Sequence, residues 1–121
     1  LLRTGEVELR IIRRQDVKPL RISDSGASGV SEGVIADQAR GCGRFAARKV
    51  FIASGGRTAR FGNSAGTLIV LLEGTVGASS PTDGLEIMSP GDAVILTEGE
   101  ECRIINHGND RAVVLKVDGV R

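Results

Sequence analysis

The sequence has no tryptophan and no tyrosine, and its only aromatics beyond one histidine are Phe45, Phe51 and Phe61. Stacking platforms for sugars or nucleic-acid bases need aromatic faces, so those binding modes are largely closed to it. The sole histidine, His107, sits in the turn-like stretch His107-Gly108-Asn109-Asp110. A histidine-rich metal centre and a histidine acid–base pair are therefore excluded. Cys42 and Cys102 form no C-x-x-C or zinc-finger spacing, and they read as separate reduced thiols of an intracellular protein rather than as a disulfide. No apolar run approaches the ~20 residues that span a bilayer, so no membrane role is expected. The net charge of +1 is far from the basic excess of a nucleic-acid-binding domain.

What is present is an aliphatic chain of 121 residues, 40% apolar, enough for one domain with one core of Val, Ile, Leu and Ala. Leu1 stands where an initiator methionine would, which points to a piece of a longer protein. The charges are segregated. No acid lies between Asp37 and Glu73, whereas Arg40, Arg44, Arg48, Lys49, Arg57 and Arg60 do. That block is either a set of solvated strand faces paired across neighbours or a basic surface for an acidic protein partner or phosphate.

Short apolar runs alternate with glycine-containing turns, and no segment sustains a helical period. Residues 1–22 read as an N-terminal arm with a first strand from Val7 to Arg13. Residues 23–33 read as a Gly/Ser-rich, linker-like loop, and 34–121 as a barrel. Its strands are expected near Gly33–Ala36, Phe45–Ala53, Thr58–Phe61, Thr67–Val76, Leu85–Met88, Ala93–Thr97, Cys102–Asn106 and Ala112–Val117, with one short helix near Ala36–Arg40. Many short strands at close spacing indicate a barrel or sandwich. The run Thr67–Leu72 is apolar on both faces: Thr67, Ile69 and Leu71 point one way, Leu68, Val70 and Leu72 the other. A strand buried on both sides needs a cover, and a symmetric homodimer through Leu68, Val70 and Leu72 supplies one. Cover by the N-terminal arm is the alternative. Gly41-Cys42-Gly43-Arg44-Phe45-Ala46 fits a nucleotide fingerprint, but strand-like sequence follows where a helix is required.

Two spaced motifs carry more information. Gly91 to Asn106 fits G-x5-P-x-G-x2-H-x3-N, with Thr97 at the proline and Cys102 at the histidine. Gly55 to Gly74 fits G-x5-H-x-H-x3-E-x6-G, with Phe61, Asn63 and Thr67 at the His, His and Glu. In these motifs the chain resembles the cupin superfamily. The resemblance implies an all-β fold, the double-stranded β-helix or jelly-roll barrel. In metal-bearing cupins those positions hold Fe, Mn, Ni or Zn. Phe cannot ligate, and Asn, Thr and one thiol do not hold a divalent ion, so neither metal nor cofactor is expected. The motif's parity places Phe61, Asn63, Thr67, Ile69, Leu71, Cys102 and Ile104 inside. Without a base beside it, Cys102 should stay protonated, and no catalytic residue is assigned.

Among metal-free cupins the chain is similar to the C-terminal dimerisation domain of centromere protein C. The likeness lies in Gly55-Gly56-Arg57 before Asn63-Ser64, in Gly74-Thr75-Val76, and in Glu98-Gly99 through Ile104-Ile105-Asn106. That resemblance implies a non-catalytic homodimerisation module of a larger nuclear protein at the kinetochore. The alternative is a cytoplasmic bacterial cupin that binds or isomerises a small molecule without metal. Its pocket would be lined by Arg60, Asn63, Thr67, Ile69, Leu71, Cys102 and Ile104.

Overall fold

The computed structural model describes residues 9–23, 26–82 and 84–120. Among the described residues, nine strands run β1 Leu20–Arg21, β2 Ser28–Ala36, β3 Phe45–Arg57, β4 Thr67–Glu73, β5 Val76–Ser79, β6 Leu85–Met88, β7 Ala93–Leu96, β8 Arg103–Ile105 and β9 Ala112–Gly119. The pairing order is β6-β5-β8-β3-β9-β4-β7, with β2 on β3 and β1 on β2. Every pair is antiparallel. The result is an all-β, nearly closed barrel whose path ends at β6 and β7. Among the described residues no helix is long and apolar enough to cross a membrane.

Strand β3 joins the two halves of the wall. Its first part, Phe45 to Ile52, pairs with β9, and Arg57 pairs with Ile105 of β8. Between them Gly55 and Gly56 exchange backbone hydrogen bonds with Asn106. Asn106 is fully buried and secures this crossing: its Nδ2 donates to the carbonyls of Ile52 at 3.0 Å and Asp110 at 2.9 Å, and its Oδ1 accepts from Gly108 N at 2.9 Å. One side chain thereby satisfies three backbone groups at the crossing.

The core lies inside the barrel, where Val30, Val50, Ile52, Ile69, Leu71, Val76, Met88, Leu96, Ile104, Ala112 and Val114 meet. Alternation along each strand explains the set, since every second residue faces inward. Burial of such aliphatic side chains contributes ~1.5–3 kcal/mol each, an upper estimate because the unfolded chain already hides some surface.

Several sequence expectations change. Segment 28–33 is strand, not linker: Val30 is buried opposite Ile52, and the small residues permit close approach. A Cβ on Gly33 would meet Val17 Cγ1 at 2.6 Å, so the glycine seats the N-terminal arm rather than loosening the chain. Of the expected first strand, residues 9–13 join no ladder, and its first two residues, Val7 and Glu8, lie outside the described residues. The expected strand from Thr67 to Val76 is two strands, divided where Gly74 adopts φ +92 beside Ala112. The short helix is a 3-10 turn, Gln38–Arg40, capped by Asp37. Residues 58–60 are not a strand, and Phe61 joins Cys102 in an isolated bridge.

Candidate functional site

A cavity of about 470 Å³ opens between β6 and β7, the two ends of the pairing path. Its walls are Ala78 of β5, Glu86 of β6 and Val94, Ile95 and Leu96 of β7, and Cys102 forms part of its floor. Residues from the β5–β6 loop and from the 99–101 turn frame the entrance. Gly62 holds that turn in place: a Cβ there would collide with the Glu100 carbonyl oxygen, and the residue has φ +147. Thr97, at the motif's proline position, closes the turn, donating to Glu100 Oε1 from its nitrogen at 2.7 Å and its hydroxyl at 2.5 Å. These bonds, the hydroxyl's first, hold the Glu100 carboxyl below its ordinary range.

Cys102 is buried, and its backbone exchanges hydrogen bonds with Phe61 at 2.6 and 2.9 Å. Desolvation pushes its thiol from 9.0 up to about 11, so it is neither a nucleophile nor a base at neutral pH. Cys42 is half-buried, and the two thiols are unbonded. Among the described residues, the titratable groups lining the cavity besides Cys102 are Glu86, Glu100 and Glu101.

On the inward face of β9 lies a half-buried charged cluster that sequence reasoning missed. Asp118 Oδ1 accepts from the Thr67 hydroxyl at 2.6 Å. Its Oδ2 stands 3.3 Å from Lys116 Nζ and 3.8 Å from Arg48 Nη1. The Lys116 ammonium also lies 4.4 Å from the centroid of the Phe61 ring, a cation–π contact. The signal was available: Ala112, Val114, Lys116 and Asp118 share one face of β9, and the first two are core residues.

The cupin ligand positions do not fit a metal. Phe61 offers no donor, and the Thr67 hydroxyl is committed to Asp118. Asn63 turns away into its loop, donating to the Gly119 carbonyl at 3.0 Å and accepting from Ala65 N at 2.8 Å. An ammonium already occupies the space over Phe61, and it repels a cation. Among the described residues no three His, Cys, Asp or Glu side chains come together.

The expected pocket residues are thus dispersed. Cys102 lines the mouth cavity. Arg60 joins Cys102 in a small adjoining hollow, and Thr67 borders a different one. Ile69, Leu71 and Ile104 are wholly buried in the core. Asn63 was placed inside by strand parity, but its segment is a loop, where parity does not hold. Leu68, Val70 and Leu72 face outward, and Leu68 lies opposite Ile95, which is 73% exposed. Near Leu72 the arm residues Arg14, Val17 and Pro19 border a shared hollow with Phe51 and Val113. The basic block is split: Arg48 faces inward, Lys49 points to the other face of β3, and Arg40 pairs with Asp37. Arg57 donates to the Gly26 carbonyl.

No protein-family model matches the sequence, and no curated protein matches it. Solved structures do. The polyketide cyclase RemF from Streptomyces resistomycificus superposes with a TM-score of 0.83 at 23% identity, over 94% of this chain and 81% of that one. A predicted oxalate decarboxylase from Thermotoga maritima gives 0.80 at 20% identity, over 93% and 100%. A cupin-superfamily sugar phosphate isomerase from Silicibacter pomeroyi gives 0.76 at 19%, over 93% and 76%. These identities speak to architecture alone, and the likeness to centromere protein C gains no support from them. Their common architecture, together with the strand order and the lumen described above, makes this chain a cupin-fold barrel.

Proposed function

We propose that the protein binds a small organic molecule in the mouth cavity between β6 and β7, without a metal, as a bacterial-type cupin does in the alternative raised by the sequence. The observation that carries this reading is the open 470 Å³ cavity, walled by Ala78, Val94 and Leu96 and bordered by carboxylates. Its size and mixed lining are those of small-molecule sites. Any proton transfer on the ligand, as in an isomerase, would fall to Glu86 or Glu101, because the Cys102 thiol holds its proton to about pH 11. An intracellular setting, in which both cysteines stay reduced, accompanies this reading. The test is a thermal-shift screen of small polar metabolites on the wild type and on Ala78→Leu, which fills the cavity from its wall. Hits that vanish in the variant support the reading. Hits that persist unchanged, or a screen with none, overturn it.

A second reading, homodimerisation, is favoured by the outer face of β4, β7 and β9. Leu68, Ile95 and Val117 lie side by side there in register. A second copy suits the strip because it is apolar and continuous across three strands. Val70→Glu would bury a charge at that contact. Sedimentation should show dimers of the wild type and monomers of the variant, and a monomeric wild type would remove this reading.

A further inference from the structure

Beside the mouth cavity lies a smaller one of about 140 Å³, lined by Arg60, Ser79, Ser80, Pro81, Cys102, Arg103 and Ile105. The two cavities share Ser80, Pro81 and Cys102, so they adjoin. Their electrostatics are opposite: among the described residues, carboxylates line the larger, while the smaller has two guanidinium groups and no acid. Four other arginines of the barrel are engaged. Arg40 pairs with Asp37, Arg48 with Asp118 and Arg111 with Glu73, while Arg57 donates to a carbonyl. The side chains of Arg60 and Arg103 make no hydrogen bond or ion pair among the described residues. Arg103 Nε is buried and lacks an acceptor among the described residues. A buried N–H without a partner is costly, and in native proteins it commonly marks a group that a ligand or water completes.

We propose that this hollow binds a phosphate group, held between the Arg60 and Arg103 guanidinium groups with the Ser79 hydroxyl as a further donor. Two cations facing one small space match a dianion, and the planar forks of arginine suit its oxygens. Arg103 Nε–H would then gain its acceptor. The phosphate comes either free in solution or as the end of an organic monoester whose carbon body lies in the mouth cavity. That monoester case deepens the function proposed above and rests on it; the phosphate hollow itself does not.

Titration calorimetry with inorganic phosphate and with glycerol 3-phosphate, at low ionic strength, tests both. The wild type should bind phosphate. Arg60→Met and Arg103→Lys should each weaken it about tenfold, whereas Arg44→Met, on the exposed end of the same basic block, should leave it unchanged. Circular dichroism confirms that the variants fold. If glycerol 3-phosphate binds more tightly than phosphate and Ala78→Leu removes only that advantage, both proposals stand. If Ala78→Leu changes neither affinity, the hollow binds free phosphate and the mouth reading fails. No binding by the wild type, or equal weakening by Arg44→Met, overturns the phosphate site.

Discussion

Asp118→Asn removes one charge from the barrel interior while leaving an oxygen that can still accept from Thr67. Lys116 and Arg48, opposite one another in register, then face each other without a counterion. At 3.3 Å the Lys116–Asp118 attraction is about 5 kcal/mol for an effective dielectric near 20. The cost of desolvating the carboxylate offsets much of that. Deleting one partner of a fully buried pair costs ~3–5 kcal/mol. The Arg48 side chain keeps 32% of its exposure, so water screens part of the loss. The expected destabilisation is about 2–3 kcal/mol, or a fall in Tm of roughly 10 °C for a chain of this size. Urea unfolding with an unchanged m-value is the assay. Lys116→Met in the Asp118→Asn background should recover at least half of the loss, because it withdraws the stranded cation. An Asp118→Asn variant within about 0.5 kcal/mol of the wild type, or a double variant no better than the single, would refute the charge argument.

Iodoacetamide at pH 8 should modify Cys42 while sparing Cys102, whose thiolate fraction there is roughly one in a thousand; mass spectrometry showing equal labelling of both in the folded protein would contradict this. Because burial raises the folded Cys102 pKa from 9.0 to about 11, the folded state keeps the proton longer than the unfolded state does. Stability from this group is therefore complete below pH 9 and declines as pH rises towards 11, by about 2–3 kcal/mol, and the decline should flatten in Cys102→Ala. Gly62→Ala forces a Cβ against the Glu100 carbonyl at a positive φ, and it should cost about 2 kcal/mol in urea unfolding. An unaffected Gly62→Ala would show that the two loops are not locked together.

The barrel was legible in the sequence because its glycines and Asn106 are fixed by backbone geometry, which motif spacing records directly. Gly74, Gly91 and Gly99 each take a positive φ. The inward set Thr67, Ile69 and Leu71 followed from alternation within a true strand. The same rule misplaced Asn63, since residues 62–66 form a loop whose side-chain bonds no periodicity foretells. Gly33 looked like flexibility and proved to be close packing of β2, because composition alone does not distinguish a glycine that moves from one that another chain segment presses upon. The Lys116–Asp118 pair escaped notice because a charged residue on a strand is ordinarily read as solvated. Alternation with the core residues Ala112 and Val114 turns it inward, and the register of β9 against β3 brings Arg48 beside it. The hollow of Arg60 and Arg103 joins residues more than forty positions apart and could be seen only once the chain was folded.

Strand β3 belongs to both halves of the wall, and Asn106 rivets the bend between them. Spreading the halves there would break ladder bonds and unseat a buried amide at once. Among the described residues the β6 and β7 edges carry no ladder bond to each other. Widening the proposed ligand cavity along that margin would therefore break fewer backbone hydrogen bonds than spreading the halves at β3.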